Sequence, residues 1–261
     1  MHFWCNFTGW TQAYTRDHYG ELLPPDPDKQ SNHFQMNVLV TAATMAEIQP
    51  FSHYLKQHGQ ALSDHHFTFH HCRVSILIGG IGMMHTAYSL GRYLATTRPD
   101  IAIQAGIAGC FHRERSLGEV VLVDKEQLAD LGAEDDTHFK DLFDIGLWEM
   151  NQPPFTEKWL VNTFEGISHL PQLPKATGIT VNLVSGSKST IQKLEEKYAP
   201  DVESMEGAAF HYACLMEKIP FLQLRSISNY VEVRDKSKWN IPLAVKQLNE
   251  ALIKQLIAIS L

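Results

Sequence analysis

No apolar run in the sequence approaches the roughly 18 to 20 residues that cross a bilayer, and its start lacks the basic flank and apolar stretch of a secretory signal. Cysteine is scarce. Cys5, Cys72, Cys110 and Cys214 lie far apart with no CxxC pair, which points away from a disulfide framework and toward free thiols in the cytoplasm. No block of lysine and arginine occurs, and the formal net charge of -7 is spread along the chain. Nothing therefore gathers a phosphate backbone, and nucleic acid is excluded as a main partner. A GxGxxG pattern starting at Gly80 would need glycine at position 85, where His85 stands. Also missing are a GxSxG elbow with its His/Asp set, any internal repeat and any low-complexity tract.

What is present is enough apolar material, 44% of 261 residues, for a large core at the upper end of single-domain size. Residues 1–35 differ in texture: they lack periodicity and end near the turn-prone run Pro24-Pro25-Asp26-Pro27-Asp28. They are expected to form a poorly ordered N-terminal tail, with the folded domain spanning 36–261. Met36 opens a strand directly, which raises the hypothesis that the chain natively starts there.

From Met36 onward, short β-branched runs alternate with longer stretches at helical spacing. The pattern predicts strands over 36–41, 73–79, 100–105, 119–123, 179–184 and 220–227, and helices over 45–57, 83–97, 187–197, 206–217 and 241–258. Such alternation implies an α/β fold with a largely parallel, buried sheet. In the last helix Leu243, Leu248, Leu252, Leu256 and Ile259 keep roughly helical spacing, so that stripe belongs to the core.

Ligands of open α/β sheets bind beyond the carboxyl ends of the strands. Four places there carry polar or glycine residues: Glu47 after MNVLVTAATMA, the run Gly79-Gly80-Ile81-Gly82 after RVSILI, Glu206 in VESMEG, and Asn229 ending PFLQLRSISN. The glycines offer backbone N–H groups near a helix start, where no Cβ keeps a ligand away. Breaking a nucleoside's glycosidic bond needs a group to activate water, one to hold the ribose hydroxyls as positive charge builds, and one to receive the base. Two glutamates and an asparagine could supply that set. Taken singly, each carboxylate reads equally as a solvated surface group.

Six segments together resemble the purine nucleoside phosphorylase and nucleosidase superfamily: AATMAE (42–47), GGIG (79–82), QAGIAG (104–109), LVSGS (183–187), SMEGA (204–208) and RSISN (225–229). The resemblance implies a three-layer α/β/α sandwich with a twisted mixed β-sheet, nucleoside phosphorylase-like, and an active site near subunit contacts in a homo-oligomer. It further implies that Glu47 activates water, that Met205 and Glu206 hold the ribose with Gly80 beside them, and that the loop carrying Ser187, Ser189 and Thr190 lines the base pocket. Asn229 falls where methylthioadenosine nucleosidases carry an aspartate. An asparagine amide can meet protonated nitrogen 7 with its carbonyl and a 6-oxo group with its NH₂, so it suits hypoxanthine or guanine. Phosphorylases of this superfamily carry a phosphate-clamping arginine where this chain has Gln104, which makes water the expected nucleophile.

Within the superfamily, SNYVEVRD (228–235) followed by Trp239 looks most like the futalosine hydrolases, enzymes of menaquinone biosynthesis that release hypoxanthine. Futalosine bears a benzoate beyond its ribose, and Arg234 is the candidate cation for it. Competing readings are a methylthioadenosine or adenosylhomocysteine nucleosidase, a purine nucleoside phosphorylase, and, from another class, a nucleoside-binding protein without catalysis. None needs an organic cofactor. His65, His66, His70, His71 and Cys72 crowd together, but neither histidine pair has helical ligand spacing, and a histidine-rich hairpin without metal is expected. Glu134-Asp135-Asp136 reads as a solvated loop. Ser187, Ser189 and Thr190 also read as helix-capping residues.

Overall fold

The computed structural model describes residues 36–136, 138–164 and 170–261, with the backbone of Thr15–Arg16 and Leu22–Leu23, which pair antiparallel. The tail expected over 1–35 otherwise lies outside the described residues. The main elements are β1 (Met36–Ala42), α1 (Met45–His58), β2 (His66–Phe69), β3 (Cys72–Ile78), α2 (Met83–Leu94), β4 (Ile101–Cys110), β5 (Val120–Leu128), β6 (Lys175–Thr180), α3 (Lys188–Tyr198), β7 (Val202–Ser204), α4 (Gly207–Met216), β8 (Phe221–Tyr230) and α5 (Ile241–Ile259).

One mixed sheet organises the chain. Parallel strands β3, β1 and β4 form its open half, with β2 antiparallel on β3. Beyond β4 the sheet closes on itself: β4 pairs β8, β8 pairs β5, β5 pairs β6, β6 pairs β7, and β7 returns to β4. Closure leaves these five strands without a free edge. Helices cover both faces. Val38, Val40 and Ala42 of β1 pack with Phe51 and Leu55 of α1 and with Leu248, Leu252 and Leu256 of α5. Leu39, on the opposite face, joins Leu90 of α2 and Phe210 and Cys214 of α4. Strands buried on both faces read as continuous apolar runs, which is why β1 and β8 are conspicuous in the sequence.

Three expectations need correction. The strand predicted over 179–184 ends at Thr180, and the following residues form a loop with Leu183 82% exposed. Its apolar letters mimic a buried strand, but Asn182 is held outside the sheet by Asp130, which accepts from both its backbone and its side-chain nitrogen. The acidic run Glu134-Asp135-Asp136 is not a plain loop, because Gly132–Asp135, exposed throughout, pairs antiparallel with His138–Asp141. The β4 and β5 strands run well past their predicted ends, and the short β7 carries no signal of its own. A hairpin does form at the histidine cluster, from β2 and β3.

Helix α1 begins with a capping box, in which Thr44 and Glu47 satisfy each other's backbone groups. Pro50 then interrupts its hydrogen-bond ladder one turn later. Asn249 of α5, 2% exposed, repairs the break. Its Oδ1 accepts from the Phe51 N–H at 2.8 Å, and its Nδ2 donates to the Glu47 carbonyl at 2.8 Å. A side chain from the last helix thus fixes the turn that carries Glu47. Asn249→Leu leaves two buried backbone groups unpaired and should cost about 2 kcal/mol or more, seen as a lower urea midpoint at unchanged slope.

Candidate active site

A cavity of about 480 Å³ opens at the carboxyl ends of β1, β4 and β8. Glu47, Met205, Glu206, Asn229 and Arg234 all line it. Residues 182 positions apart in the chain therefore share one cleft, Glu47 from the first turn of α1 and Asn229 from the end of β8.

Each carboxylate is fixed by groups that distant elements supply, and Glu47 by its own capping box as well. Glu47 Oε2 accepts from Thr44 N at 3.0 Å and Thr44 Oγ1 at 3.2 Å, while Oε1 accepts from Ile107 N at 3.2 Å. Burial raises the Glu47 pKa above its ordinary value; the Arg225 charge and the Ile107 and Thr44 N–H groups pull it partly back. Glu206 is the N-cap residue of α4 and is 6% exposed. Its Oε1 accepts from Gly82 N at 3.0 Å, and its Oε2 faces Arg225 Nη1 at 3.5 Å. Of the glycine run it is thus Gly82, not Gly80, that reaches this carboxylate. Gly80 lies outside the cavity lining, and its positive φ of 88° serves the turn, where a Cβ would meet His85 at 2.7 Å.

Arg225 is the residue that sequence reasoning passed over. Only 1% exposed, it lies in β8 directly opposite Gly106 of β4. The guanidinium donates from Nη2 to Gln104 Oε1 at 3.0 Å, and its Nη1 lies 3.5 Å from both Ile107 O and Glu206. Gly106 makes this path possible, since a Cβ there would lie 2.3 Å from Nη1 and 3.2 Å from Glu47 Oε1. A charged residue inside an otherwise uncharged, buried strand was the available signal. Below it, inside the closed ring, Glu126 accepts from Gln223 Nε2 at 2.7 Å and Thr180 Oγ1 at 3.0 Å. Burial pushes Glu126 up to about 7. Thr180 Oγ1 in turn accepts from Ala208 N at 2.8 Å, tying this network to the first turn of α4.

Asn229 Oδ1 accepts from Ser228 Oγ at 2.8 Å and its Nδ2 donates to Tyr230 O at 3.0 Å. One N–H and one lone pair remain for a ligand. Arg234 lies over the Trp239 ring at 5.3 Å, and both line the cavity. Ser187, Ser189 and Thr190 do not join them. They are exposed and occupied with capping α3, Ser187 Oγ accepting from Thr190 N at 3.2 Å and donating to Thr190 Oγ1 at 2.9 Å. The cavity is bordered instead by Val184 and Ser185 of the same loop and by Glu203 of β7, neither of the latter two singled out by the sequence.

Residues 37–258 match the family model described as the phosphorylase superfamily. Among characterised proteins, the chain is 33% identical to the futalosine hydrolase of Thermus thermophilus over 69% of this chain and 79% of that one. It is 29% identical to the futalosine hydrolase of Streptomyces coelicolor over 84% and 94% respectively. Among solved structures it resembles the 5'-methylthioadenosine/S-adenosylhomocysteine nucleosidase of Campylobacter jejuni, with a TM-score of 0.69 at 18% identity over 86% and 99% of the two chains. A futalosine hydrolase mutant of Helicobacter pylori gives a TM-score of 0.68 at 16% identity over 85% and 99%. At such identities the structural likeness speaks for the fold.

The crossing of Arg225 over Gly106 can be tested with one substitution made at two sites. Gly106→Ala should destabilise by about 1 to 3 kcal/mol because the guanidinium cannot yield without losing its partners. Gly91→Ala, inside α2 with nothing within 4 Å of its new Cβ, should instead stabilise by about 0.5 to 1 kcal/mol. Thermal melts of both variants report the opposite signs.

Proposed function

We propose that this chain, which belongs to the phosphorylase superfamily, is a nucleosidase that hydrolyses the N-glycosidic bond of futalosine, releasing hypoxanthine and dehypoxanthine futalosine. The observation that carries the reading is the shared cleft of Glu47, Glu206 and Asn229, joined to the curated futalosine hydrolases the chain resembles. Such an activity serves menaquinone biosynthesis. Nucleosidases for methylthioadenosine are more distant relatives, at 28% identity or less.

In the mechanism we infer, Glu47 takes a proton from a water that attacks carbon 1 of the ribose. The new C–O bond forms as the C–N bond to the base breaks, and the departing electron pair goes to the purine, which gains a proton through water. Glu206 accepts from the ribose hydroxyls, Met205 packs against the sugar, and Asn229 holds nitrogen 7 and the 6-oxo group. Asn229 cannot itself supply a proton at neutral pH. Water rather than phosphate is favoured as nucleophile because Gln104 replaces the phosphate-clamping arginine. The cation that is nearby, Arg225, is buried and faces Gln104, Glu206 and Ile107 O. In the cavity lining, Arg234 is our candidate for the benzoate, supported by its position over Trp239 and by its having no carboxylate partner among the described residues.

We also infer a homo-oligomer located in the cytoplasm. Met84 and Tyr88 of α2 and Met216 of α4 are exposed, on helices that pack side by side, and such apolar surface suits a contact between copies. The described cysteines are free and buried. No helix of the described residues is long and apolar enough to cross a membrane.

The test is release of hypoxanthine from futalosine at a rate indifferent to phosphate; phosphate dependence with formation of a sugar phosphate would refute hydrolysis. Glu47→Gln should lose about 10² to 10⁴ in kcat while still binding substrate. Arg234→Ala should raise KM for futalosine about tenfold or more and leave inosine, which has no carboxylate, unaffected. Arg225→Met removes the charge that pulls the Glu47 pKa down. The base must be ionised to act, so the acidic limb of the kcat/KM profile should move to higher pH. A limb that stays in place would separate Arg225 from the base.

A further inference from the structure

Inside the closed ring, Glu126 of β5 is 0% exposed. Its Oε2 accepts from Thr180 Oγ1 at 3.0 Å, and its Oε1 lies 2.7 Å from Gln223 Nε2. Two glycines wall it in: a Cβ at Gly178 would lie 2.5 Å from Oε1, and one at Gly207 would lie closer still. The charged groups acting on it are Arg225 of β8 and Glu206 of α4. From β6 it is met by Thr180 and Gly178, neither of which carries a charge. Both of its hydrogen-bond donors are therefore neutral, and burying an ionised carboxylate on such terms is unfavourable.

The neighbours of Glu126 say how the charge is avoided. His211 of α4 is also fully buried, and its Nδ1 lies 3.1 Å from Leu160 O. A carbonyl only accepts, so Nδ1 carries the ring proton. Burial pushes the His211 pKa down to about 3, so the ring is neutral and Nε2 is a bare lone pair. The Gln223 side chain acts on this ring. With its Nε2 turned to Glu126, however, Gln223 Oε1 and His211 Nε2 both remain buried without a partner. Each is an acceptor, so neither can satisfy the other. A half-turn of the amide exchanges its oxygen and nitrogen, which are told apart by their partners. Gln223 Nε2 then donates to His211, and Gln223 Oε1 faces Glu126 Oε1. Two oxygens at hydrogen-bond distance in a buried site need a proton between them, and the carboxyl group is the one of the two that can carry it.

We infer that Glu126 is a positioning residue that holds a proton and donates it to Gln223 Oε1, completing a one-way chain through the Gln223 amide and the His211 ring to Leu160 O. The inference does not depend on the nucleosidase reading. Every donor in the chain has an acceptor, and the lone pairs of Gln223 and His211 are both met. A Glu126 pKa pushed up to about 7 by burial agrees with it. The other carboxyl oxygen still accepts from Thr180, whose Oγ1 accepts from Ala208 N at 2.8 Å and so holds the start of α4. For the cavity the consequence is electrostatic. Arg225 acts on Glu126, Glu47 and Glu206 alike. With Glu126 neutral, the Arg225 charge is left to the two carboxylates that line the cleft.

Neutron diffraction from crystals of the native protein, exchanged into D₂O at about pH 6, tests the chain directly. A deuteron should appear on Glu126 Oε1, with the Gln223 amide nitrogen turned to His211. A bare carboxylate facing that nitrogen, or a water bridging Gln223 and His211, overturns the inference. Glu126→Gln adds a second readout, because its amide can donate to Gln223 Oε1 as the carboxyl does but holds no titrating proton. The native carboxyl binds its proton more tightly folded than unfolded. The stability it contributes is therefore complete below the ordinary carboxylate range and is lost as pH rises through about 7. The melting temperature of the native protein should thus fall relative to that of Glu126→Gln between about pH 5 and about pH 8. A difference that does not change with pH, or that changes in the opposite sense, overturns the inference. Should the variant fail to fold, the neutron map of the native protein decides alone.

Discussion

The site depends on one buried cation. Arg225 stands 1% exposed in the middle of β8, and every arrangement around it accommodates or uses its charge. Removing a guanidinium from water is expensive unless its donors are met and its charge balanced. Gln104 and Ile107 O meet donors, and Glu206 at 3.5 Å supplies the balancing charge. Gly106 clears the path, and Glu47, whose Oε1 lies near the same glycine, comes within its field. The closed ring of β4, β8, β5, β6 and β7 makes this possible, because a strand without a free edge can bury a polar interior while keeping its backbone paired.

Positioning here draws on elements distant in the chain: every one of these carboxylates has at least one partner from another element. Glu47 is held by its capping box and by Ile107 of β4, and its helix is repaired at Pro50 by Asn249 of α5. Glu206 stands at the N-cap position of α4, and its side chain is met by Gly82 ahead of α2 and by Arg225 of β8. Glu126 reaches α4 through Thr180. A groups-in-place geometry of this kind lowers the reorganisation needed when charge develops on a bound sugar. It also distributes the site's precision over residues that touch no ligand.

The helices were legible in the sequence because their apolar stripes are long and periodic, and all five lie within a few residues of expectation. The convergence of Glu47, Glu206 and Asn229 was legible only through position at strand ends and through the resemblance. What was hidden had physical causes. Val181, Leu183 and Val184 imitate a strand, yet the sheet ends at Thr180 and the loop leaves Leu183 in solvent. Ser187, Ser189 and Thr190 have the composition of a binding loop but spend their hydroxyls on a helix cap. Arg225, Gln104 and Gln223 gave the opposite clue. Polar side chains in strands that otherwise read as buried signal an interior that is not oil, and their partners can be found only after the ring closes.

The charge balance of this interior bears on which nucleophile it admits. Glu47, Glu203, Glu206, Glu232 and Asp235 line the cavity and Glu126 lies buried in the closed ring, against Arg234 of the lining and, among the described residues, one buried arginine, Arg225. Glu126, pushed up to about 7, is partly protonated at neutral pH, so the surplus is smaller than the count suggests, but it remains negative. A negative site disfavours a phosphate dianion and favours a ribosyl group that becomes positive as its bond to the base breaks, with no penalty for a neutral water. In a dry cleft such fields act at low effective dielectric and are felt strongly over a few ångströms. The same surplus explains why Arg225 stays buried and tied to Gln104: a cation presented to the cavity would weaken the field on the sugar, whereas one held beneath the floor stabilises the carboxylates without cancelling them there.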